Sequence, residues 1–310
     1  MMATTLDFGR AEPRARTRRK FTAGEIANGA AGAAAMLLLT LSAALPDDDD
    51  VARAGATDSE VLYAPRRETA VGVYLGAPYH YPSDFWLKND GKTDLTIKDV
   101  HWYTMPFNHP LYYGVRVQRW RDGGAFGSML DFTHSKAFAP MKGENQFQGT
   151  LDGKPAPETG VIENYFDKLE WTHGHNMLTL NGLVRLFTLG RFSAYTGGGG
   201  GVSLPHSEIH LLSDPHRTYE YQYAGPCAQA LFGLEFRTKT GTVFVEYKFT
   251  FADYSGPLTH RDGAILPIDL WRQFSRWWSG EAPPGGFAGA RLASHNLVSG
   301  FTVRFAPGAK

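Results

Sequence analysis

The segment TVFVEYKFTF, residues 242–251, sorts its side chains by parity. Val243, Val245, Tyr247, Phe249 and Phe251 alternate with Phe244, Glu246, Lys248 and Thr250. Successive side chains of a strand point to opposite faces, so one side of this strand is apolar and the other carries charge. CAQALFGLEF repeats the arrangement, with Ala228, Ala230, Phe232, Leu234 and Phe236 against Cys227, Gln229, Gly233 and Glu235. In FTVRF, Phe301, Val303 and Phe305 oppose Thr302 and Arg304. In GSMLDFTHSKAFA and the Phe126 before it, Phe126, Leu130 and Phe132 oppose Asp131, Thr133 and Ser135.

About eight such strands are expected, near 70–79, 110–121, 124–138, 173–188, 191–204, 218–236, 240–253 and 295–305. Three of the connections are tight: RDGG, the pair Leu189–Gly190, and RTKTG, each with a glycine where positive φ is favoured. The others, 80–109, 139–172, 205–217 and 254–294, are long. Strict alternation of short and long connections between amphipathic strands is the pattern of an outer-membrane barrel. In a bilayer the apolar face meets lipid, and closure satisfies every backbone group. The fold expected is therefore all-β: an eight-stranded antiparallel transmembrane β-barrel with short periplasmic turns and long extracellular loops. A barrel of this size is filled by side chains rather than open as a pore. Asp131, Glu235 and Glu246 are expected to meet Arg116, Arg185, Lys248 and Arg304 inside it.

The amino terminus agrees with export. Arg14, Arg16, Arg18, Arg19 and Lys20 precede an apolar run from Ile26 to Leu45, and Asp47 to Asp50 follow. This is the charge order of a secretory signal, with an uncleaved inner-membrane anchor as the alternative. The chain divides into an extension and signal-like segment (1–45), a linker (46–69), a barrel (70–305) and a tail (306–310). Lys plus Arg and Asp plus Glu stand at 31 each, which excludes the basic field of a nucleic-acid binder. Cys227 is the only cysteine, so no intramolecular disulfide and no cysteine-cluster metal site can form.

The strings YYGVRVQRW, GSMLDFTHSKAFA, FDKLEWTHGHNMLTLNGLVRL, GGGGGVSLPHSEI, RTYEYQYAGPCAQALFGLEFR, VFVEYKFTFADYS and HNLVSGFTVRF resemble the lipid A oxidase family of α-proteobacterial outer membranes, in that family's order and over most of 70–305. The resemblance implies an outer-membrane enzyme that uses oxygen to convert the proximal glucosamine of lipid A to 2-aminogluconate. Lipid A, as part of lipopolysaccharide, is then the partner, and a monomer is the expected state. Two alternatives remain: another lipid A modifier, such as a deacylase or acyltransferase barrel, and a non-enzymatic barrel.

Candidate site residues follow from chemistry at the expected outer rim. Asp131, His134, His173, Asn176, Tyr219 and Lys248 are the candidates for catalysis, with Arg217 and Gln222 for substrate binding. In PHSEIH, His206 and Glu208 share a parity and are the candidate ligands of a divalent or redox metal of unknown identity. Nothing resembles a dinucleotide fingerprint, because the glycine run 197–201 lies within a strand, so no flavin or NAD is expected. That run is expected to let a neighbouring strand or bulky group come close. Finally, IDLWRQFSRWW spaces Leu270, Trp271, Phe274, Trp277 and Trp278 along one helical face, with Arg272 and Arg276 on the complementary side. It is expected to lie at the membrane interface, with Trp271, Arg272 and Arg276 reaching the substrate.

Overall fold

The computed structural model describes residues 67–121 and 124–305. The signal-like segment, most of the linker and the 306–310 tail lie outside the described residues. The strands are β1 (Glu68–His80), β2 (Ser83–Asn89), β3 (Thr93–Val100), β4 (Tyr113–Trp120), β5 (Phe126–Phe138), β6 (Glu144–Leu151), β7 (Lys154–Pro155) and β8 (Thr159–Val161). They continue as β9 (Phe166–Leu189), β10 (Phe192–Ser203), β11 (His206–Leu211), β12 (Thr218–Tyr221), β13 (Pro226–Arg237), β14 (Gly241–Asp253), β15 (Gly256–Pro257) and β16 (Phe287–Phe305). One α-helix, α1 (Leu266–Ser279), lies among the described residues, and none is long and apolar enough to cross a membrane.

The antiparallel pairings run β1–β4–β5–β9–β10–β13–β14–β16 and return from β16 to β1. The ring is therefore closed and leaves no open edge on this path. Its outer face keeps Val73, Val117, Leu130, Leu180, Phe232, Leu234 and Phe301 between 41% and 65% exposed. Its inner face buries Arg116, Asp131, Thr133, Asn181, Gln229, Glu246, Lys248 and Thr250. Charge inside and bare hydrocarbon outside inverts the order that water imposes and matches what lipid requires. Phe126 and Leu130 point outward while Asp131 and Thr133 point inward, as the parity of their segment requires.

The lumen is a solid of paired charges. The Lys248 ammonium contacts a carboxylate oxygen of Asp131, and the other oxygen accepts a bond from the Tyr74 hydroxyl at 3.0 Å. Arg116 grips Glu246 with two bonds of 2.8 and 3.1 Å. Toward the hairpin end, Arg237 makes the same fork to Glu68, and Arg185 bonds Glu235 at 3.0 Å. Arg304 lies 3.7 Å from Glu68, which the sequence did not single out. The glycine run in β10 serves close approach: a Cβ at Gly199 would stand 1.9 Å from the Leu180 carbonyl oxygen of β9.

Two expectations change. The stretch 218–236 is not one strand: β12 pairs with β11 outside the ring, and the wall resumes at β13. Gly225, at φ +119°, makes the turn between them, a conformation that side chains resist. The long connections also carry structure of their own. β2, β3 and β6 form a second antiparallel layer on the outer end of β16. Together with β9 and β11 they enclose a separate core of Phe85, Leu95, Ile97, Trp102, Phe166 and Trp171. The 24 residues of β9 far exceed the roughly 9–11 that a membrane strand needs, so its first half builds this cap.

Leu130→Arg should weaken folding into lipid vesicles by roughly 2–4 kcal/mol, measured by urea titration. No measurable loss would mean that lipid does not contact this face. In the lumen, Lys248→Met removes the nearer of two cations beside buried Asp131 and leaves Arg116 at 3.6 Å, and should cost as much as about 3–5 kcal/mol. Adding Asp131→Asn should recover much of that loss, and a double variant no more stable than the single would show that the pair does not hold the interior.

Candidate functional site

On the outer wall the apolar belt ends in a polar recess. The outward column of β5 runs Leu130, Phe132, His134 and that of β9 runs Leu180, Leu178, Asn176, paired residue by residue. Exposure falls along this column from 47% at Leu130 to 4% at His134. The His134 ring stacks on Tyr113 of β4 at 4.8 Å. Asn176 donates from Nδ2 to the Leu204 carbonyl at 3.1 Å. Its Oδ1 is thereby left to accept from His134 Nδ1 at 2.8 Å, so Nε2 of His134 carries the lone pair. That nitrogen is buried with no hydrogen-bond partner.

The β11–β12 hairpin supplies the opposite side. His206 stands between Tyr219 and Tyr221, with ring centroids 4.4 and 4.5 Å away, and the His173 ring lies 5.4 Å from it. His206 Nε2 donates to the Gly263 carbonyl at 2.9 Å, fixing the tautomer. Its Nδ1 is a second buried nitrogen without a partner. Burial pushes the His206 imidazole below the usual histidine range, opposed by the Gly263 bond. Burial also raises the Tyr221 hydroxyl, and the neighbouring Tyr113 phenol adds to the effect. Two neutral imidazoles therefore offer free lone pairs among tyrosines.

Helix α1 covers this hairpin through two polar anchors. Asp269 accepts from the Tyr221 backbone N–H at 3.3 Å. Gln273 bonds both backbone groups of Tyr223, at 2.7 and 2.8 Å. Its other side leaves Trp271, Phe274, Trp277 and Trp278 between 48% and 77% exposed. Arg272 sits 3.6 Å from Asp269 and Arg276 sits 3.9 Å from Glu281.

His173, His206 and Tyr219 come together, and His173 interacts electrostatically with His134 of the His134–Asn176 pair; Arg217 stacks on Tyr219 at their edge. Asp131 and Lys248 do not join them, because they point into the lumen on the other side of the wall. Arg217 is engaged by a fork to Asp262 at 2.9 and 3.1 Å and by Glu208 at 3.3 Å. Its hydrogen bonds hold the Asp262 carboxyl below the usual carboxylate range. Gln222 is buried and donates to the Pro257 carbonyl, tying the 254–258 segment down. Glu208 is shared between Arg217 and His173, the latter at 3.8 Å. Among the described residues, three ligand atoms gather within one ion's reach elsewhere, at Asp214, His216 and His260. His206 and Glu208 are not among these three. Tyr113 and Tyr221 are additions that the sequence reading did not single out; the outward parity of Tyr113 beside His134 is the signal that could have found it.

No family model matches the chain, and no curated protein sequence matches it. Among solved structures, it is similar to the outer membrane protein OprG from Pseudomonas aeruginosa, at 12% identity and a TM-score of 0.42, over 79% of this chain and 98% of that one. It is also similar to the outer membrane protein AlkL in lipid bilayers, at 12% identity and 0.40, over 80% and 94%. Neisserial surface protein A is a third, at 8% identity and 0.35, over 76% and 97%.

His206 should stay neutral as pH falls to 6.5, the ordinary histidine value. Below 6.5 the unfolded chain takes up a proton that the folded chain resists, so folding loses stability as pH falls. Titration of the imidazole nitrogen shifts should give a midpoint below 6.5; a midpoint at or above it would contradict the buried tautomer.

Proposed function

We propose that the chain is an enzyme of the bacterial outer membrane: an eight-stranded transmembrane barrel with its short turns in the periplasm and its cap outside. We infer that it acts on lipid A as an oxidase, forming 2-aminogluconate from the proximal glucosamine with oxygen. One observation carries this reading. The apolar column of β5 and β9 leads without interruption to His134 and Asn176, so a lipid lying against the wall brings its head group to the recess. Water-soluble substrates have no need of such a wall.

The chemistry asks for a proton acceptor beside the sugar. Oxidation of a free anomeric centre removes two electrons and two protons, which O2 accepts as hydrogen peroxide, and water then opens the lactone to the acid. His206 Nδ1 and His134 Nε2 are each suited to accept the anomeric hydroxyl proton. Tyr219 and Tyr221 are suited to orient the ring oxygens. His173, beside His206 and Glu208, is suited to pass the proton onward. Arg272 and Arg276 lie on the helix that would rest on the head groups, where guanidinium suits phosphate. The exposed tryptophans of α1 are the residue type favoured at a membrane interface.

Mass spectrometry of lipid A from cells with and without the protein tests the activity. A gain of one oxygen mass is expected, and it should disappear with His206→Ala while the barrel still assembles. Loss of an acyl chain would indicate a deacylase, and an unchanged mass a non-enzymatic barrel. Serine at Trp271, Phe274, Trp277 and Trp278 together should reduce turnover of bilayer-embedded lipid A more than of detergent-dispersed lipid A. Equal loss in both would assign the helix to packing.

A further inference from the structure

We propose that Asp214, His216 and His260 form a binding site for a divalent transition-metal ion at the far tip of the cap, separate from the recess on the barrel wall. Asp214 and His216 lie on the loop between β11 and β12, and His260 lies on the segment between β15 and α1. One ligand atom from each lies within 4.8 Å of the other two. His260 Nε2 is 2.8 Å from one Asp214 oxygen, and His216 Nδ1 is 3.6 Å from the other. Ligands about 2.1 Å from a tetrahedral ion stand about 3.4 Å apart, so these separations already bracket the bound arrangement.

The loops hold this set in place without an ion. The His216 backbone N–H donates to Asp214 Oδ1 at 2.9 Å, locking the two ligands of the Asp-Pro-His turn together. The Asp214 carbonyl accepts from His210 at 3.1 Å. Across the gap, the His260 N–H donates to the Thr218 hydroxyl at 3.2 Å. His260 itself has φ +57°, one of three non-glycine residues in that region among the described residues. Such a conformation costs energy and persists where the surroundings over-determine it, often at ligand clamps. The two imidazole rings face each other at 5.5 Å, 17° from parallel.

Two imidazoles and one carboxylate suit a borderline ion such as Zn2+, Co2+ or Ni2+ and leave coordination positions open. All three residues line a cleft of about 310 Å³, so the open positions face solvent. The ion joins two segments that also meet one and two residues further on in the Arg217–Asp262 fork, and Gly263 follows as the acceptor of His206. The ion therefore acts as a clasp on the outer end of the hairpin, independent of what the recess binds.

Co2+ titration of the folded protein in detergent micelles, followed by its visible d–d absorption, tests the site. One equivalent is expected to bind. His260→Ala and His216→Ala should each weaken binding by more than about ten-fold, the loss already seen when only a ligand's outer shell is disturbed. His216 is the exposed member, so its variant should keep the fold even if the His260 variant does not; far-UV circular dichroism checks this. His206→Ala should leave the titration unchanged. Absence of Co2+ absorption in the wild-type protein would overturn the proposal, as would a His216→Ala titration that matches wild type. Loss of binding on His206→Ala would move the ion to the recess and overturn it equally.

Discussion

The pairing of Lys248 with Asp131, and of Arg116 with Glu246, is the interaction on which the rest of the molecule rests. These four side chains are fully buried inside the ring. Each bears a charge that would be costly to bury alone, and each is matched. With its charges paired inward, the chain can turn a continuous hydrocarbon surface outward. The same pairing fills the interior. A ring of this size is filled by Arg116, Tyr74 and Lys248 packed across it, so the proposed activity is assigned to the wall.

Two of the buried nitrogens that lack a hydrogen-bond partner lie at the wall. His134 and His206 come from different parts of the chain, one from the barrel and one from a hairpin laid against it. Each is oriented by a bond to one nitrogen, from Asn176 and Gly263 respectively, and each leaves the other nitrogen free. Helix α1 is fixed over this hairpin by polar anchors rather than apolar packing, which frees its aromatic side. A helix docked by Asp269 and Gln273 can present four large aromatics to a membrane surface without losing its seat.

Much of this was legible in the sequence, because period-two alternation reports directly on a two-faced wall. The sides taken by Phe126, Leu130 and Asp131, the tight turn at 189–190, and the amphipathic helix all follow from local pattern. The cap did not follow. Its strands at 83–89, 93–100 and 144–151 are held by long-range pairing and by a core that also draws on β5, β9, β11, β13, β14 and β16. The break at Gly225 was passed over for a different reason: TYEY buries its even-numbered residues and PCAQALFGLEFR its odd-numbered ones, so the alternation changes phase across the turn. At the site, His173, His206 and Tyr219 were found as residue types at a rim. Asp131 and Lys248 were drawn in by their charge, and their inward parity places them in the lumen instead.

The account turns on a lipid head group reaching the recess from the side of the barrel. A photoreactive phenylalanine analogue placed at Tyr221, and separately at Leu186 in the belt near the hairpin end, tests this in intact outer membranes. After illumination, mass analysis should find lipid A joined to position 221 and phospholipid joined to position 186. Capture of phospholipid at both positions, or of no lipid at position 221 in an assembled barrel, would contradict it.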